Sequence, residues 1–298
     1  PLQEPGANIS EGDYILAVNN QAFGPGRPVH SYLANKAGKE VLLTVNDRPS
    51  ADGARPVVVT PVRSERDLRY SDWVRRNREY VAEKTGGKIG YIHVPDMWTD
   101  GLIEFNTWFY PPLDKEGMVV DMRWNAGGSI SQQILERFRR PVVSFDRARG
   151  GAIATYPYRV LNGPFVVLTN EFAGSDGDIF PMAVQLEGLA PVIGMRSWGG
   201  VVGIRGDKLL VDGGFLTQPE YAWWDARDGW GLENRGVIPD IEVQNQPQEL
   251  AVGTDAQLDR AITEVLELHR EHPPQRPDFG PVPRRTREAY GRELPGGN

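Results

Sequence analysis

The chain has 298 residues, of which 40% are hydrophobic, a formal net charge of -7 and an isoelectric point near 5.3. This length and apolar content allow a large buried core and more than one domain, and the negative charge argues against a nucleic-acid partner. No apolar run approaches the roughly 20 residues that a membrane-spanning helix needs, and the first residues lack the charged-then-apolar pattern by which a signal sequence is predicted. Because of the missing apolar run we expect no membrane partner. The absence of cysteine excludes disulfides and thiolate metal ligands, and it fits a cytoplasmic protein.

Residues 1–64 are predicted to form a small β-rich unit. Residues 29–37 favour a short helix within it, and short apolar runs predict strands at 14–18, 41–45 and 57–62. A charged stretch with spaced apolar residues then predicts a connecting helix over residues 65–86.

Strands and helices alternate from residue 87 onward, which predicts an α/β core with crossover connections over residues 87–247. Its central strands are predicted at 89–94, 118–122, 165–169 and 191–194. Residues 248–298 are predicted to contain one amphipathic helix and then a flexible, proline-rich tail.

The segment at residues 169–178 places a serine between glycines where a predicted strand turns into a helix. Ser175 would lie in a sharp turn at a helix N-terminus, where unpaired backbone N–H groups and the helix dipole favour a developing oxyanion. From residues 169–178 alone, a serine that caps the helix is the more frequent explanation of this pattern.

Four segments in a specific order favour the catalytic interpretation of Ser175. They lie at residues 11–19, 121–128, 169–178 and 231–240. Together they resemble the family of tail-specific and tricorn-type serine proteases. The resemblance implies a ClpP/crotonase-like fold for the α/β core and a partial PDZ-like domain for residues 1–64. The first PDZ strand and the glycine-rich loop that grips a peptide carboxylate are missing, so we expect this unit to be a structural spacer rather than a peptide-binding module.

The resemblance assigns the nucleophile to Ser175 and an oxyanion hole to two backbone N–H groups. One belongs to the residue after the nucleophile, Asp176. The other belongs to Gly127 or Gly128, which follow a predicted strand and precede a helix; we favour Gly128. Without the resemblance, a tight turn that simply needs glycine is the commoner explanation of this pair.

Glu233 matches the family's glutamate that accepts a hydrogen bond from a second serine, which in turn orients the catalytic histidine. Neighbouring aromatic residues could exclude water from its carboxylate; they are Tyr221, Trp223, Trp224 and Trp230. For a glutamate in an arbitrary segment, a solvated surface position would be the default.

Asp146 matches the family's acidic residue that recognises a basic side chain before the scissile bond, and the resemblance suggests that it acts across a subunit contact. A cleft carboxylate attracts lysine or arginine strongly. An ion pair with Arg147 or Arg149 explains the local sequence equally well.

A serine nucleophile needs a base, and no residue of the chain has a convincing claim. Gly200 stands where proteases of the Ser/Lys type carry their lysine, and the histidines are His30, His93, His269 and His272. His30 lies in the β-rich unit and His93 in a predicted core strand. The other two lie in the C-terminal helix without matching carboxylates, so we predict no metal site, and we expect no cofactor.

These expectations predict a serine endopeptidase that cleaves oligopeptides into short peptides. The resemblance places the histidine and the second serine in a subdomain before the PDZ domain, so we expect them to precede Pro1 in a longer protein. It also implies propeller domains in the same protein and a cytoplasmic homo-hexamer. One alternative is a catalytically silent peptide-binding or assembly fragment. The other is an acyl-CoA enzyme of the crotonase fold, against which the PDZ-like start and the missing coenzyme-A phosphate patch argue.

Overall fold

The computed structural model describes residues 1–149, 151–205 and 209–281. The chain divides into two compact units with the boundary between Trp73 and Val74. This boundary falls inside the first α-helix, α1, which spans Arg66–Lys84. The finer division predicted at residues 64, 86 and 247 stays a prediction.

The first unit contains four strands, which are β1 Tyr14–Val18, β2 Gln21–Ala22, β3 Val41–Asn46 and β4 Arg55–Val59. They form an antiparallel sheet in the order β2–β1–β3–β4. The predicted helix at 29–37 is a short 3-10 helix over Val29–Leu33. β4 ends before the predicted residue 62, because Val59 pairs with Val41, the first residue of β3.

The second unit continues from α1 through alternating strands and helices. In chain order these are β5 Ile89–His93, α2 Thr99–Phe109, β6 Gly117–Asp121, α3 Ser131–Phe138, β7 Ser144–Arg147, β8 Ile153–Tyr156, β9 Phe165–Thr169, α4 Asp176–Leu186, β10 Val192–Gly194, β11 Gly203–Arg205, β12 Gln218–Tyr221, β13 Ile241–Glu242, α5 Pro247–Ala251 and α6 Ala256–Glu271. A short 3-10 helix over Pro111–Asp114 precedes β6.

The core of this unit is a five-stranded sheet in the order β13–β10–β9–β6–β5, in which every neighbouring pair is parallel. Strands β5, β6 and β9 are buried at every residue, as expected for a parallel sheet with both faces covered. The helices supply Phe105, Phe109, Phe138 and Phe180 to the main apolar cluster. This is the α/β core that the alternating pattern predicts.

Two antiparallel hairpins were not predicted. β7 pairs with β8, and β11 pairs with β12. Their described residues are mostly exposed or half-buried, so these strands lack the continuous apolar runs that mark the central sheet.

A buried guanidinium joins the C-terminal helix to the sheet. The side chain of Arg123 has no exposed surface and donates to both carboxylate oxygens of Asp121, at 2.7 to 3.1 Å. It also donates to Asp255 at 2.8 and 2.9 Å, and Asp255 caps α6 by accepting from the Leu258 N–H. Burial alone would raise the pKa of the Asp121 carboxyl, but the adjacent guanidinium holds this pKa below its usual value.

After α6, Gln275 exchanges two backbone-to-side-chain hydrogen bonds with Asn162, at 2.9 and 3.0 Å. The rest of the predicted flexible tail, residues 282–298, lies outside the described residues. No helix in the described ranges is both long and apolar enough to cross a membrane.

Candidate active site

Two turns meet at one edge of the central sheet. β6 and β9 are neighbouring parallel strands, so the turns that follow them, at residues 122–130 and 170–175, emerge at the same edge. The N–H of Gly174 in the second turn donates to the carbonyl of Asn125 in the first, at 2.9 Å. The turn at residues 122–130, which we call the glycine turn, and the turn at residues 170–175, which we call the serine turn, are therefore in direct contact.

Ser175 occupies the N-cap position of α4, but its side chain makes no capping hydrogen bond. Its backbone has φ 57° and ψ −121°, a region that residues with side chains rarely adopt and that marks functional turns. The side chain is half-buried, and its Oγ has no hydrogen-bond partner among the residues that the structure describes. The hydroxyl is thus not used to cap the helix.

Asn125 arranges the glycine turn. Its fully buried side chain donates from Nδ2 to the Val94 carbonyl and accepts the Gly127 N–H at Oδ1, both at 2.9 Å. The Gly127 N–H is therefore occupied, whereas the Gly128 N–H has no acceptor within the described chain.

Both glycines are required by their surroundings. A Cβ on Gly127, which has φ 89°, would lie 2.4 Å from the Ser175 Cβ, and one on Gly128 would lie 2.1 Å from the Met97 carbonyl oxygen. Distances this short are not tolerated. The first contact also shows that the backbone of Gly127 lies against the nucleophile candidate.

Asp176 contributes two features to the same place. Its backbone N–H, at the start of α4, has no acceptor in the described part of the protein. Its buried carboxylate accepts the Ser131 N–H at 3.1 Å, which ties the first turn of α3 to that of α4. Burial raises the pKa of this carboxyl, although the bonds from Ser131 oppose the shift.

Glu233 is half-buried, and its Oε2 accepts the N–H groups of Val201 and Val202 at 2.7 and 2.8 Å. Its Oε1 has no partner among the described residues. The expected aromatic cover is reduced: Trp223 is partly buried and packs on an apolar cluster that contains Leu232, whereas Tyr221, Trp224 and Trp230 are 64%, 57% and 65% exposed.

Asp146 lies in the β7–β8 hairpin and is exposed. Its Oδ2 accepts the Tyr158 hydroxyl at 2.9 Å, a bond that raises the pKa of Tyr158. The expected alternative, an ion pair with Arg147 or Arg149, is not formed within the described ranges. Arg147 instead lies over the ring of Phe279, with 5.5 Å between guanidinium carbon and ring centre.

The histidines are engaged elsewhere or exposed. His93 is buried, its Nε2 lies 2.9 Å from the Arg123 carbonyl oxygen, and burial lowers its pKa. His269 Nε2 lies 2.9 Å from Glu116 Oε2, and His30 and His272 are exposed. Over the described residues, no group of three or more histidine, cysteine, aspartate or glutamate side chains could hold a metal ion.

Sequence reasoning missed two polar residues that support these turns, Asn125 and Asp178. Asn125 accepts the N–H of the residue two positions later, which is a local asparagine turn that the sequence could have indicated. Asp178 follows Ser175 by three residues, the position from which an acidic side chain can reach back to a helix N-terminus. Its main partner, Ser197, is distant in sequence.

Comparison with known proteins agrees with this geometry. The model of peptidase family S41 matches residues 88–243, and the model of the tricorn protease PDZ domain matches residues 1–64. The chain belongs to peptidase family S41. The predicted resemblance is therefore confirmed.

Relatives of this S41 chain include tricorn proteases. Tricorn protease homolog 1 of Streptomyces coelicolor is 45% identical over 278 residues, which are 93% of this chain and 26% of that protein. Tricorn protease of Thermoplasma acidophilum is 39% identical over 280 residues, which are 93% of this chain and 26% of that protein. A crystal structure of the tricorn protease matches with a TM-score of 0.81 and 39% sequence identity. The match covers 87% of this chain and 25% of the tricorn chain, and it confirms the α/β core and the PDZ-like first unit. The chain spans about a quarter of the length of these relatives.

Proposed function

We propose that this S41 chain carries the nucleophile, the oxyanion hole and the glutamate of a serine endopeptidase that cleaves oligopeptides into short peptides. Ser175 attacks the scissile carbonyl. The N–H groups of Gly128 and Asp176 receive the charge that develops on the carbonyl oxygen. Glu233 orients the relay that activates the serine.

One observation carries the proposal: the Ser175 side chain sits at a helix N-terminus in a strained backbone conformation without capping the helix. Strain of this kind persists where the surroundings enforce it, and it is concentrated at functional sites. The free N–H of Asp176 begins the helix that follows, and the free N–H of Gly128 adjoins Gly127, whose backbone touches Ser175. Two unpaired donors beside an unpaired hydroxyl are what acyl transfer requires.

The choice of Gly128 over Gly127 is supported by the occupied N–H of Gly127. An N–H that already donates to a buried amide oxygen would have to break that bond to reach a substrate. Gly128 needs no such rearrangement.

The general base is proposed to be a histidine outside this chain, oriented by a second serine that donates to Glu233. Within the described chain, the Glu233 Oε1 has no donor, and the buried His93 already contacts a backbone carbonyl. The relatives are about four times as long as this chain, which leaves room in such a protein for histidine-bearing and propeller domains. A homo-hexamer in the cytoplasm belongs to the same proposal.

The substrate preference is proposed to be for lysine or arginine before the scissile bond, recognised by Asp146. Its carboxylate is exposed, free of an arginine partner in the described ranges and oriented by the Tyr158 hydroxyl. A carboxylate in that state can pair with a substrate cation.

The test is Ser175→Ala in the natural polypeptide that carries this chain, with Ser71→Ala, an exposed helix serine, as the control. Peptide hydrolysis should fall by a factor on the order of 10⁶, and labelling by a fluorophosphonate probe should be lost. Because the Ser175 hydroxyl makes no capping bond, stability should change by less than about 0.5 kcal/mol.

A stability loss of about 1 kcal/mol with unchanged hydrolysis would identify Ser175 as a helix cap and refute the proposal. An unlabelled wild-type protein without hydrolysis would favour a silent binding fragment or a crotonase-type enzyme.

A further inference from the structure

A carboxylate without an ionic partner is buried beside the nucleophile. Asp178 has no exposed surface, and the described residues provide no salt bridge to it. Its Oδ1 accepts the Ser197 hydroxyl at 2.5 Å and the Gly199 N–H at 2.8 Å, while its Oδ2 has no partner among the described atoms. A buried carboxylate is costly, so its retention here calls for a reason beyond packing.

Asp178 lies in the first turn of α4, three residues after Ser175, whereas both of its hydrogen-bond donors lie in a different segment. Ser197 and Gly199 belong to the segment after β10, which we call the 197–202 segment. Burial raises the pKa of Asp178, and the hydrogen bonds from the Ser197 hydroxyl and the Gly199 N–H oppose this shift. The carboxylate therefore lies between the turn that carries the nucleophile and the 197–202 segment.

The 197–202 segment also touches the nucleophile turn directly. The Trp198 N–H donates to the Ala173 carbonyl at 2.8 Å. A Cβ on Gly174 would lie 2.5 Å from the Trp198 ring. The indole therefore packs on the residue immediately before Ser175.

The far end of the same segment holds the glutamate. The N–H groups of Val201 and Val202 bind Glu233 Oε2. Ser197 anchors the near end, because its hydroxyl accepts the Val237 N–H at 2.8 Å while donating to Asp178. One short stretch of backbone therefore connects Ser175 to Glu233, with Asp178 as its attachment point on the nucleophile side.

We propose that Asp178 is a positioning residue that sets the nucleophile and Glu233 at a fixed separation by clamping the 197–202 segment through Ser197 and Gly199. The inference rests on the proposed function, in which Ser175 and Glu233 belong to one relay. It assigns no chemical step to Asp178, which acts through the groups that it holds.

The test compares Asp178→Asn and Ser197→Ala in the natural polypeptide that carries this chain. An amide oxygen at the Oδ1 position is uncharged, so it holds the Ser197 hydroxyl and the Gly199 N–H less strongly than a carboxylate does. The amide also places an NH2 group at the buried Oδ2 position, which has no hydrogen-bond partner among the described atoms. Ser197→Ala removes the hydroxyl from the clamp and leaves the carboxylate in place.

The matched control is Thr85→Val. The Thr85 hydroxyl is buried, donates to the Val81 carbonyl and accepts the Ile89 N–H, so it repeats the bonding of Ser197 away from the candidate site. Its removal measures the effect of losing a buried hydroxyl alone.

Asp178→Asn should lower kcat for peptide hydrolysis by about 10- to 100-fold, as expected when reacting groups shift by a fraction of an ångström to one ångström. KM should stay within about twofold, because substrate contacts are untouched. The rate of Ser175 labelling by a fluorophosphonate should fall in parallel, and Ser197→Ala should act in the same direction. Thr85→Val should leave kcat and labelling within about twofold of the wild type.

The inference is overturned if Asp178→Asn and Ser197→Ala keep kcat and labelling at the level of Thr85→Val. If Asp178→Asn does not fold, Ser197→Ala decides alone. Loss of the proposed function is recognised separately, since wild-type protein would then show no labelling that Ser175→Ala removes.

Discussion

Replacing Asn125 by alanine should remove the hydrogen bonds that support the glycine turn while leaving the Ser175 hydroxyl in place. The substitution removes the Nδ2 bond to the Val94 carbonyl and the Oδ1 bond from the Gly127 N–H. Both partners are backbone groups of buried residues, and each unpaired buried group costs about 1–3 kcal/mol. The expected loss of unfolding free energy is therefore about 2–6 kcal/mol.

The same change should reduce turnover. With its N–H released, Gly127 keeps only the bond from the Met97 N–H to its carbonyl, at 2.8 Å. This carbonyl shares a peptide unit with the Gly128 N–H, so the donor is less firmly directed, and the fall in turnover should be at most that of losing the donor. Loss of one oxyanion donor costs about 10²- to 10³-fold in kcat. Ser175 itself is unchanged, so a residual rate well above that of Ser175→Ala should remain.

Urea denaturation followed by tryptophan fluorescence measures the first effect, and peptide hydrolysis below the melting temperature measures the second. The control is Asn106→Ala, which removes one bond from an exposed amide to the Leu102 carbonyl and should cost less than about 0.5 kcal/mol. The reasoning is refuted if Asn125→Ala loses less than about 1 kcal/mol and keeps its kcat within about threefold of the wild type.

Two further predictions concern specificity and pH. Asp146→Ala should lower kcat/KM for substrates with lysine or arginine before the cut by about 10- to 100-fold more than for substrates with an apolar residue there, because a charge-assisted bond contributes about that much. The control Tyr158→Phe keeps the Asp146 carboxylate and should have a smaller effect. An equal fall for both substrate classes would contradict the assignment of Asp146. Arg123→Met should lower the free energy of unfolding by about 3–5 kcal/mol at pH 7, because Asp121 remains buried without its ionic partner. The control is Arg69→Ala, which removes an exposed ion pair with Glu65 and should lower the free energy of unfolding by less than about 1 kcal/mol. The lowered pKa of Asp121 contributes stability that is present above the unfolded pKa of about 4 and is lost as the pH falls through the folded pKa. Without Arg123, burial raises the pKa of Asp121, so the stability difference between variant and wild type should shrink as the pH falls towards 4. Denaturation curves that show a difference independent of pH would exclude Asp121 as the cause.

The central sheet could be predicted because its strands are buried on both faces. Strands β5, β6 and β9 appear in the sequence as short, nearly continuous apolar runs, and β9 spans Phe165–Thr169 as predicted. The hairpins β7–β8 and β11–β12 leave no such signal, because their described residues are largely exposed and they are stabilised by pairing with each other.

For the candidate site, the resemblance to the protease family indicated the two turns, but the sequence did not indicate what supports them. Gly127 and Gly128 are required by close backbone approach, a need that the glycine pair itself suggests. The bonds of Asp178 to Ser197 and of Asn125 to Val94 join residues 19 and 31 positions apart. Such pairs depend on how β5, β6, β9 and β10 lie in the sheet, and a single sequence does not contain that arrangement.

The bonding of Glu233 restricts how the proposed relay can approach its carboxylate. Two backbone N–H groups fix Oε2 at 2.7 and 2.8 Å, and both come from the 197–202 segment. A carboxylate held in this way cannot rotate freely, so the lone pairs of Oε1 have a defined direction. A serine hydroxyl that joins the relay must therefore approach Oε1, and any displacement of the 197–202 segment moves that acceptor with it. Glu233 and the turn that carries Ser175 therefore depend on the same stretch of backbone. This is why a substitution at Ser197 should affect turnover, although its hydroxyl bonds to Asp178 and Val237 and to neither Ser175 nor Glu233.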